Sequence, residues 1–305
     1  MKTKVFFFAA LAAATVSMTS CNNDDEVIDN NAPVEIRLSS TNAASLTTRA
    51  SNQNIQLTQF EAGEDIKVFI NEATVAQTAA PLTYTANGSG GMAPPTAQYF
   101  PQSGNGVNIH AFYPLTATDD LVTPKTFAIA GNQSTNSAYK ASDLMYGVPL
   151  SNPVARTSSA VQLTFEHLLS KVNIELVAGS GNPTLIGSTV KLKGILPETT
   201  FDPSDGSITA AAGIATDITV MTTTATLVGS AIIVPQTLAA TAFIEVTLPD
   251  GGVLTYSLPA PQLFEGKKQY DYVITVNLTG LTVTSTITPW SPVGGTPTTG
   301  TAVMD

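Results

Sequence analysis

Charged residues are scarce in this 305-residue sequence, at 12% of the chain, against about 25% in a typical soluble protein. The 13 Lys and Arg residues are outnumbered by 23 Asp and Glu residues, which gives a formal net charge of -10. Nucleic-acid binding needs clustered Lys and Arg side chains that neutralise phosphates, so this composition argues against a nucleic-acid partner. The acidity is typical of an extracellular protein that its charge keeps soluble.

Cysteine and histidine are almost absent, with one cysteine, Cys21, and two histidines, His110 and His167. A single cysteine excludes a disulfide framework. Without Cys/His metal spacing or a Gly-x-Ser-x-Gly motif, we expect no metal, no cofactor and no enzyme activity. Both histidines lie in strand patterns, which favours core or interface side chains. The acidic pairs Asp24-Asp25 and Asp119-Asp120 lie in polar segments and indicate solvated turns rather than a glycosidase site.

A helical period is also missing, because no segment repeats its apolar residues at helical spacing over three turns. Instead, many short segments alternate apolar and polar side chains, which is the period of a half-buried strand. The clearest predicted strands are 34–39, 65–70, 107–114, 161–168, 171–176, 189–193, 230–235, 243–248, 253–258, 270–278 and 281–287. Short strands with Gly- and Pro-rich connections predict an all-β protein made of β-sandwiches. The length fits two of them, with a boundary in the polar stretch 151–159.

The N-terminus has the pattern of an export signal. Two lysines precede an apolar run, residues 5–16, that is too short for a comfortable transmembrane helix. The run leads to Met18-Thr19-Ser20-Cys21, which resembles a bacterial lipobox, although Leu is usual where Met18 stands. We therefore predict a signal peptide over 1–20 and lipidation of Cys21; the alternative is an ordinary thiol. Residues 22–26 resemble the surface-export signal of Bacteroidetes lipoproteins, or else form a solvated tether.

A series of different short motifs, each present once, follows along the chain in a recognisable order. They are Phe60-Glu61-Ala62-Gly63-Glu64-Asp65-Ile66, Tyr99-Phe100-Pro101, Ala111-Phe112-Tyr113-Pro114, Asp143-Leu144-Met145-Tyr146-Gly147, Phe165-Glu166-His167-Leu168-Leu169-Ser170-Lys171-Val172, Ile232-Ile233-Val234-Pro235-Gln236, Gly266-Lys267-Lys268-Gln269-Tyr270 and a late Trp290. With the lipoprotein start, these motifs cover nearly the whole chain, and the sequence resembles the fimbrillins, the type V pilin family of Bacteroidales. The resemblance implies two transthyretin-like β-sandwich domains in tandem. It also implies polymerisation by strand exchange after proteolysis.

The resemblance and the strand pattern together divide the chain into four parts. These are a signal peptide (1–20), a propeptide with a tether and a removable strand (21–49), an N-terminal β-sandwich domain (50–158), and a C-terminal β-sandwich domain with a donor strand or tail (159–305). In the family, an Arg-specific, trypsin-like protease cuts near the position of Arg49. We therefore expect the mature protein to begin after the propeptide.

Strand exchange requires a strand that can be removed, and residues 34–39 fit this role. The residues expected to face a core are Val34, Ile36 and Leu38. The predicted cleavage lies between Arg49 and Ala50, where small neighbours are typical of an exposed protease site. The alternative is an ordinary surface arginine. Arg37 is a poorer cleavage site because it lies inside the strand pattern.

The replacement strand is expected near the C-terminus. One candidate is the segment 281–287, whose apolar face carries Leu281, Val283 and Ile287. The polar tail 296–305 is a second candidate, since it could add to the edge of a neighbouring subunit through main-chain hydrogen bonds. The alternatives are a normal last core strand for the first segment and simple disorder for the tail.

These expectations describe a structural subunit of a cell-surface fimbria that supports adhesion and is exported as an outer-membrane lipoprotein precursor. The expected partners are other fimbrial subunits, the maturation protease and, before cleavage, the outer membrane through the lipid anchor. Two alternatives on the same fold are a fimbrial tip adhesin and a surface glycan-binding lipoprotein. A tail beyond Trp290 favours a stalk subunit, because tip subunits of this family need no donor tail.

Overall fold

The computed structural model describes residues 32–42, 59–75, 80–114, 123–277, 279–290 and 298–303. Internal contacts divide the chain into a unit Met1–Ala32 and a unit Pro33–Asp305, and every strand and helix described lies in the second unit. The described residues form twenty strands and one short helix, which confirms the predicted all-β class. Among them, no helix has the length and apolar character that crossing a membrane requires.

The strands and the helix follow one another along the described parts of the chain. In chain order they are β1 (Leu38–Asn42), β2 (Asp65–Glu72), β3 (Leu82–Ala86), β4 (Gly91–Ala93), β5 (Val107–Tyr113), β6 (Lys125–Ala128), α1 (Asn136–Ala141), β7 (Met145–Pro149), β8 (Val161–His167), β9 (Ser170–Ala178), β10 (Thr189–Ile195), β11 (Glu198–Phe201), β12 (Thr216–Thr222), β13 (Val228–Ile233), β14 (Gln236–Leu238), β15 (Ala242–Thr247), β16 (Val253–Ser257), β17 (Gln262–Phe264), β18 (Lys268–Asn277), β19 (Gly280–Pro289) and β20 (Thr298–Val303).

Alternating side chains give the strands one buried and one more exposed face. In β8, Val161, Leu163 and Phe165 are buried while Gln162 and Thr164 are exposed. The same period buries one face of β18, which carries Tyr270, Tyr272, Ile274 and Val276. Successive side chains of a strand point to opposite faces, so this pattern fixes which face meets the core.

Seven strands close into a barrel in the order β1-β4-β3-β2-β5-β7-β8. The barrel encloses a cluster of buried side chains, which we call the first core, whose members include Leu38, Val68, Tyr84, Ile109, Leu163 and Phe165. Closure depends on β1, because it pairs with β4 on one side and with β8 on the other.

A four-stranded sheet, β12-β10-β15-β16, and a five-stranded sheet, β13-β9-β18-β19-β20, form a second region. Both sheets contribute to one cluster, which we call the second core, whose members include Val172, Leu192, Val220, Ile232, Phe243 and Ile274. Residues from barrel strands also belong to it, and Phe112 meets Phe201 with ring centroids 5.2 Å apart. This packing of two sheets around a shared core is a β-sandwich.

Three sequence expectations differ from the structure. The first strand begins at Leu38 rather than at Val34. The helix α1 escaped the search for a helical period, because six residues are fewer than two turns. The strand β8 follows the predicted boundary at 151–159, yet it pairs with β1 and β7 of the barrel.

Candidate functional site

The segment before the predicted cleavage site, residues 33–42, lies against the barrel, and we call it the leading segment. Its first half pairs with residues 98–100: the Phe100 amide donates to the Val34 carbonyl at 2.9 Å, and the Ile36 amide donates to the Gln98 carbonyl at 2.7 Å. Glu35 and Tyr99 form an antiparallel bridge between these bonds. The chain therefore meets the barrel before its first strand begins.

The second half of the leading segment is β1, which lies between β4 and β8. It pairs in parallel with β8 over five residues, from Leu38 opposite Val161 to Asn42 opposite Phe165. With β4 it shares only two antiparallel partners, and the Ser40 amide donates to the Gly90 carbonyl at 2.7 Å. Parallel pairing is slightly less stable per residue than antiparallel pairing. The barrel is thus closed at this seam by one short strand.

Side chains of the leading segment alternate between the first core and the surface, as the sequence predicted. Ile36 is 2% exposed and Leu38 is 4% exposed, while Val34 is half-buried against the same core. Full burial of one such aliphatic side chain contributes about 1.5–3 kcal/mol. On the outer face, Arg37 Nε lies 3.1 Å from Glu35 Oε2 in an exposed ion pair, which contributes little to stability.

The inward row of the leading segment ends in a polar residue. Ser40 is 2% exposed, and its hydroxyl has no hydrogen-bond partner among the residues that the structure describes. A buried hydroxyl without a partner costs about 1–3 kcal/mol. The burial of Ser40 is therefore less favourable for the stability of the barrel than the burial of Leu38.

The predicted modification and cleavage residues, Cys21, Arg49 and Ala50, lie outside the described residues, as do the acidic pairs at 24–25 and 119–120. In residues 59–75, the first described stretch after Ala50, Phe60 is 1% exposed and packs edge-on against Phe165, with ring centroids 4.8 Å apart.

Two carboxylates next to Phe60 tie this part of the chain to α1. Lys140 Nζ lies 2.7 Å from Glu61 Oε2 and 3.0 Å from Glu64 Oε1. Desolvation lowers the pKa of Lys140, but the hydrogen bonds with both carboxylates outweigh it and raise the pKa overall. The chain after the predicted cleavage site is thus fastened to α1 by these ion pairs and to β8 of the barrel by Phe60, independently of β1.

The predicted donor residues Leu281, Val283 and Ile287 lie in β19, inside the five-stranded sheet. Leu281 is 3% exposed, Val283 is fully buried and Ile287 packs at the edge of the second core. β19 pairs with β18 along ten residues, and β20 pairs with the other side of β19 along six. In this structure β19 is therefore a core strand, and β20 is the edge strand outside it.

Four side chains that the sequence analysis did not bring together meet at the end of β19. This group, which we call the Trp290 cluster, consists of Asp143, His167, Lys171 and Trp290, all at most 2% exposed. His167 stacks on Trp290 with ring centroids 3.9 Å apart and an interplanar angle of 8°. Its Nδ1 lies 2.8 Å from Asp143 Oδ1. Lys171 Nζ lies 6.0 Å from the centre of the Trp290 ring, at the limit of a cation–π contact.

Several polar atoms in and around the Trp290 cluster have no partner within the part of the chain that the structure describes. They are His167 Nε2, Lys171 Nζ, Trp290 Nε1 and the hydroxyl of the neighbouring Tyr139. Burial lowers the pKa of Lys171 to about 8, although Asp271 and Asp143 act in the opposite direction. Burial, with the nearby Asp143 carboxylate, raises the pKa of Tyr139 well above its usual value.

The second histidine, His110, also has a local partner, since its Nδ1 lies 2.8 Å from the Tyr146 hydroxyl. Burial lowers the pKa of His110. Among the described residues, no group of three or more His, Cys, Asp or Glu side chains is arranged to hold a metal ion.

Comparisons with known proteins give a consistent result. Residues 48–290 match the family model described as fimbrillin-like. A protein of Bacteroides uniformis named as a candidate fimbrium subunit, Fim1C, is 25% identical over 316 residues, which cover 99% of this chain and 100% of that protein.

Solved structures resemble the fold along most of its length. A candidate cell adhesion protein from Bacteroides uniformis superposes with a TM-score of 0.67 and 21% identity, covering 84% of this chain and 98% of that one. The C-terminally truncated tip fimbrial protein Mfa3 from Porphyromonas gingivalis gives a TM-score of 0.54 and 10% identity, covering 85% and 100%. At these identities the two structures establish a shared fold.

Proposed function

Because the chain belongs to the fimbrillin-like family, we propose that it is a structural subunit of a cell-surface fimbria that polymerises by exchanging its first strand for a strand of the next subunit. A role as a fimbrial subunit follows from the family and from the fimbrium subunit that the chain resembles along its whole length. Such subunits act at the cell surface and assemble with other fimbrial subunits. The route of assembly is the proposal.

The observation that carries this proposal is the position of the leading segment. It closes the barrel between β4 and β8 with Ile36 and Leu38 buried, yet it lies close to one end of the described chain. Removing it would expose apolar core and the unpaired edges of two strands, which are both unfavourable in water. The opened seam is a suitable binding site for an extended strand.

Cleavage after Arg49 would make this exchange possible. A strand tethered to its own barrel competes at an effective concentration on the order of mM. A strand from another subunit at about 1 μM is then disfavoured roughly a thousandfold, or about 4 kcal/mol. Cutting the chain removes that advantage, while Phe60 keeps the new N-terminal region attached to the barrel and Glu61 and Glu64 keep it attached to α1.

We propose β20 as the donor, in preference to β19. Using Leu281, Val283 and Ile287 as donor residues would require β19 to leave the second core and its ten partners in β18. β20 pairs with one neighbour only and lies at the edge of the five-stranded sheet, so its release leaves the ten pairs between β19 and β18 in place.

Export and domain structure complete the proposal. The precursor would be cut by a lipoprotein signal peptidase, acylated on Cys21 and held at the outer membrane until an Arg-specific, trypsin-like protease cuts after Arg49. The two cores support two β domains of the transthyretin-like type. Since β8 pairs within the barrel, we place the boundary between β8 and β9 rather than at residue 158.

The test is polymerisation after limited digestion with an Arg-specific protease, observed by electron microscopy. We expect the wild-type protein to form long fibres and the Arg49→Ala variant to stay monomeric. Arg156→Ala is the matched control and should polymerise like the wild type. Fibres from Arg49→Ala under the same treatment would contradict the cleavage assignment, and cut wild-type protein that stays monomeric would favour a tip subunit.

A further inference from the structure

The two last strands of the chain are held very differently. β20 pairs with β19 alone and forms the edge of its sheet. β19 pairs with β18 along its whole length, and it is followed directly by Trp290, whose side chain is fully buried. If β20 detaches, the loss of strand pairing must therefore end before β19 separates from β18.

Both the backbone and the side chain of Trp290 contact distant parts of the chain. Its amide donates to the Lys267 carbonyl at 2.7 Å. Its ring stacks on His167, and Asp143 holds His167 through the 2.8 Å contact at Nδ1. These partners come from the residue stretch before β7, from β8 and from the turn before β18, so three separate parts of the chain fix one residue.

The turn that accepts the Trp290 amide is itself tightly fitted. Lys267 has φ +62°, a left-handed conformation that is uncommon for a residue other than Gly, Asn or Asp. Its amide donates to the Leu169 carbonyl at 3.0 Å. A Cβ on the neighbouring Gly266 would lie 2.6 Å from the Leu168 carbonyl oxygen. Such a conformation persists only where the surrounding structure over-determines it.

We propose that Trp290 is a positioning residue that fixes the end of β19, so that β20 can leave β19 during strand exchange while β19 stays paired with β18. The inference rests on the proposed function, because only exchange gives β20 a reason to leave. Without the indole, the last pairs of the sheet, Gln269 with Thr288 and Lys268 with Pro289, would lose the contacts that hold them closed. Release would then spread from β20 into β19.

The test is amide hydrogen exchange, read peptide by peptide by mass spectrometry, on the full-length monomer. In the wild type we expect β20 amides to exchange at least about tenfold faster than those of β19, since edge strands open at lower cost than core strands. In Trp290→Ala, amides of residues 285–288 should approach the rate of β20, while β9 and the residues near Leu281 stay protected. Trp290→Phe, which keeps a ring against His167, should restore most of the protection.

Tyr139→Phe is the matched control, because it removes a buried hydroxyl beside Asp143 without touching Trp290. It should exchange like the wild type. Unchanged protection of residues 285–288 in Trp290→Ala would overturn the inference, and so would a loss of protection spread evenly over both cores, which a purely structural role predicts. If Trp290→Ala fails to fold, amide exchange of residues 285–288 in Trp290→Phe and His167→Ala decides whether Trp290 is a positioning residue. The measurement needs no polymer, so it can fail or succeed independently of the fibre experiment.

Discussion

The side chain of Lys171, near the start of β9, is fully buried. Its neighbour Val172 faces the second core, so strand alternation predicts that Lys171 points to solvent. In the structure Lys171 is instead fully buried, with its Nζ 6.0 Å from the centre of the Trp290 ring. The desolvation that results lowers the pKa of Lys171 to about 8 from an ordinary value of 10.5.

A lowered lysine pKa makes stability depend on pH in a definite direction. Below pH 8 both the folded and the unfolded chain carry the proton, and the folded state bears the full desolvation cost. Between pH 8 and 10.5 the unfolded chain binds more protons, so stability rises with pH.

We therefore expect Lys171→Met to raise the free energy of unfolding at pH 7, by on the order of 2 kcal/mol, because an apolar side chain replaces an unpaired buried charge. The gain should shrink as the pH approaches 10.5. Urea unfolding at pH 7 and pH 10 measures both effects, with the half-buried Lys191→Met as control. A gain that is the same at both pH values would contradict the assigned cause.

At the scale of the element, β1 shows which features of a strand the sequence can predict and which it cannot. The alternation of Ile36 and Leu38 correctly predicts the buried face of the leading segment. The strand nevertheless starts four residues later than the pattern indicates, because residues 34–36 pair with the loop at 98–100 instead of a strand. Which strands β1 would join was not predictable, since its partner β8 lies more than a hundred residues away and the pairing is parallel.

If the first strand is a replaceable element, a peptide with the sequence of residues 33–42 should compete for the opened seam. We expect its addition in excess to protease-treated protein to shorten or abolish fibres, because it restores the burial of Ile36 and Leu38. A peptide with both residues changed to Asp is the control and should have no effect, since burying unpaired carboxylates is strongly unfavourable. Fibre length in negative stain gives the answer, and equal inhibition by both peptides would argue against specific binding.

At the scale of the whole molecule, two cores share one chain. Composition and strand periodicity were sufficient to predict the all-β class and most of the long strands. The short strands β4, β14 and β17 were not predictable from the sequence, because three residues are too few to show a period. The Trp290 cluster was not predictable either, because Asp143 and Trp290 come together only through the tertiary fold.

The two cores should respond separately to the loss of the leading segment, whose buried residues belong to the first core alone. Calorimetry of the cleaved protein with its leading segment removed should show one transition moved to lower temperature and another near its original position. Val283→Ala, a truncation in the second core that costs about 1 kcal/mol or more, should instead lower the transition that cleavage leaves unchanged. A single transition that shifts equally in both samples would show that the cores unfold as one.

The parallel arrangement of β1 and β8 has a consequence for the polarity of an incoming strand. A newcomer that runs in the opposite direction would meet β8 in antiparallel fashion, with hydrogen bonds perpendicular to the strands instead of slanted. It could also present a small apolar residue where Ser40 now places a hydroxyl without a partner. If exchange takes place as we propose, a strand with these features would gain stability against β8 and at the position of Ser40 relative to β1, and this gain would favour replacement without an external source of energy.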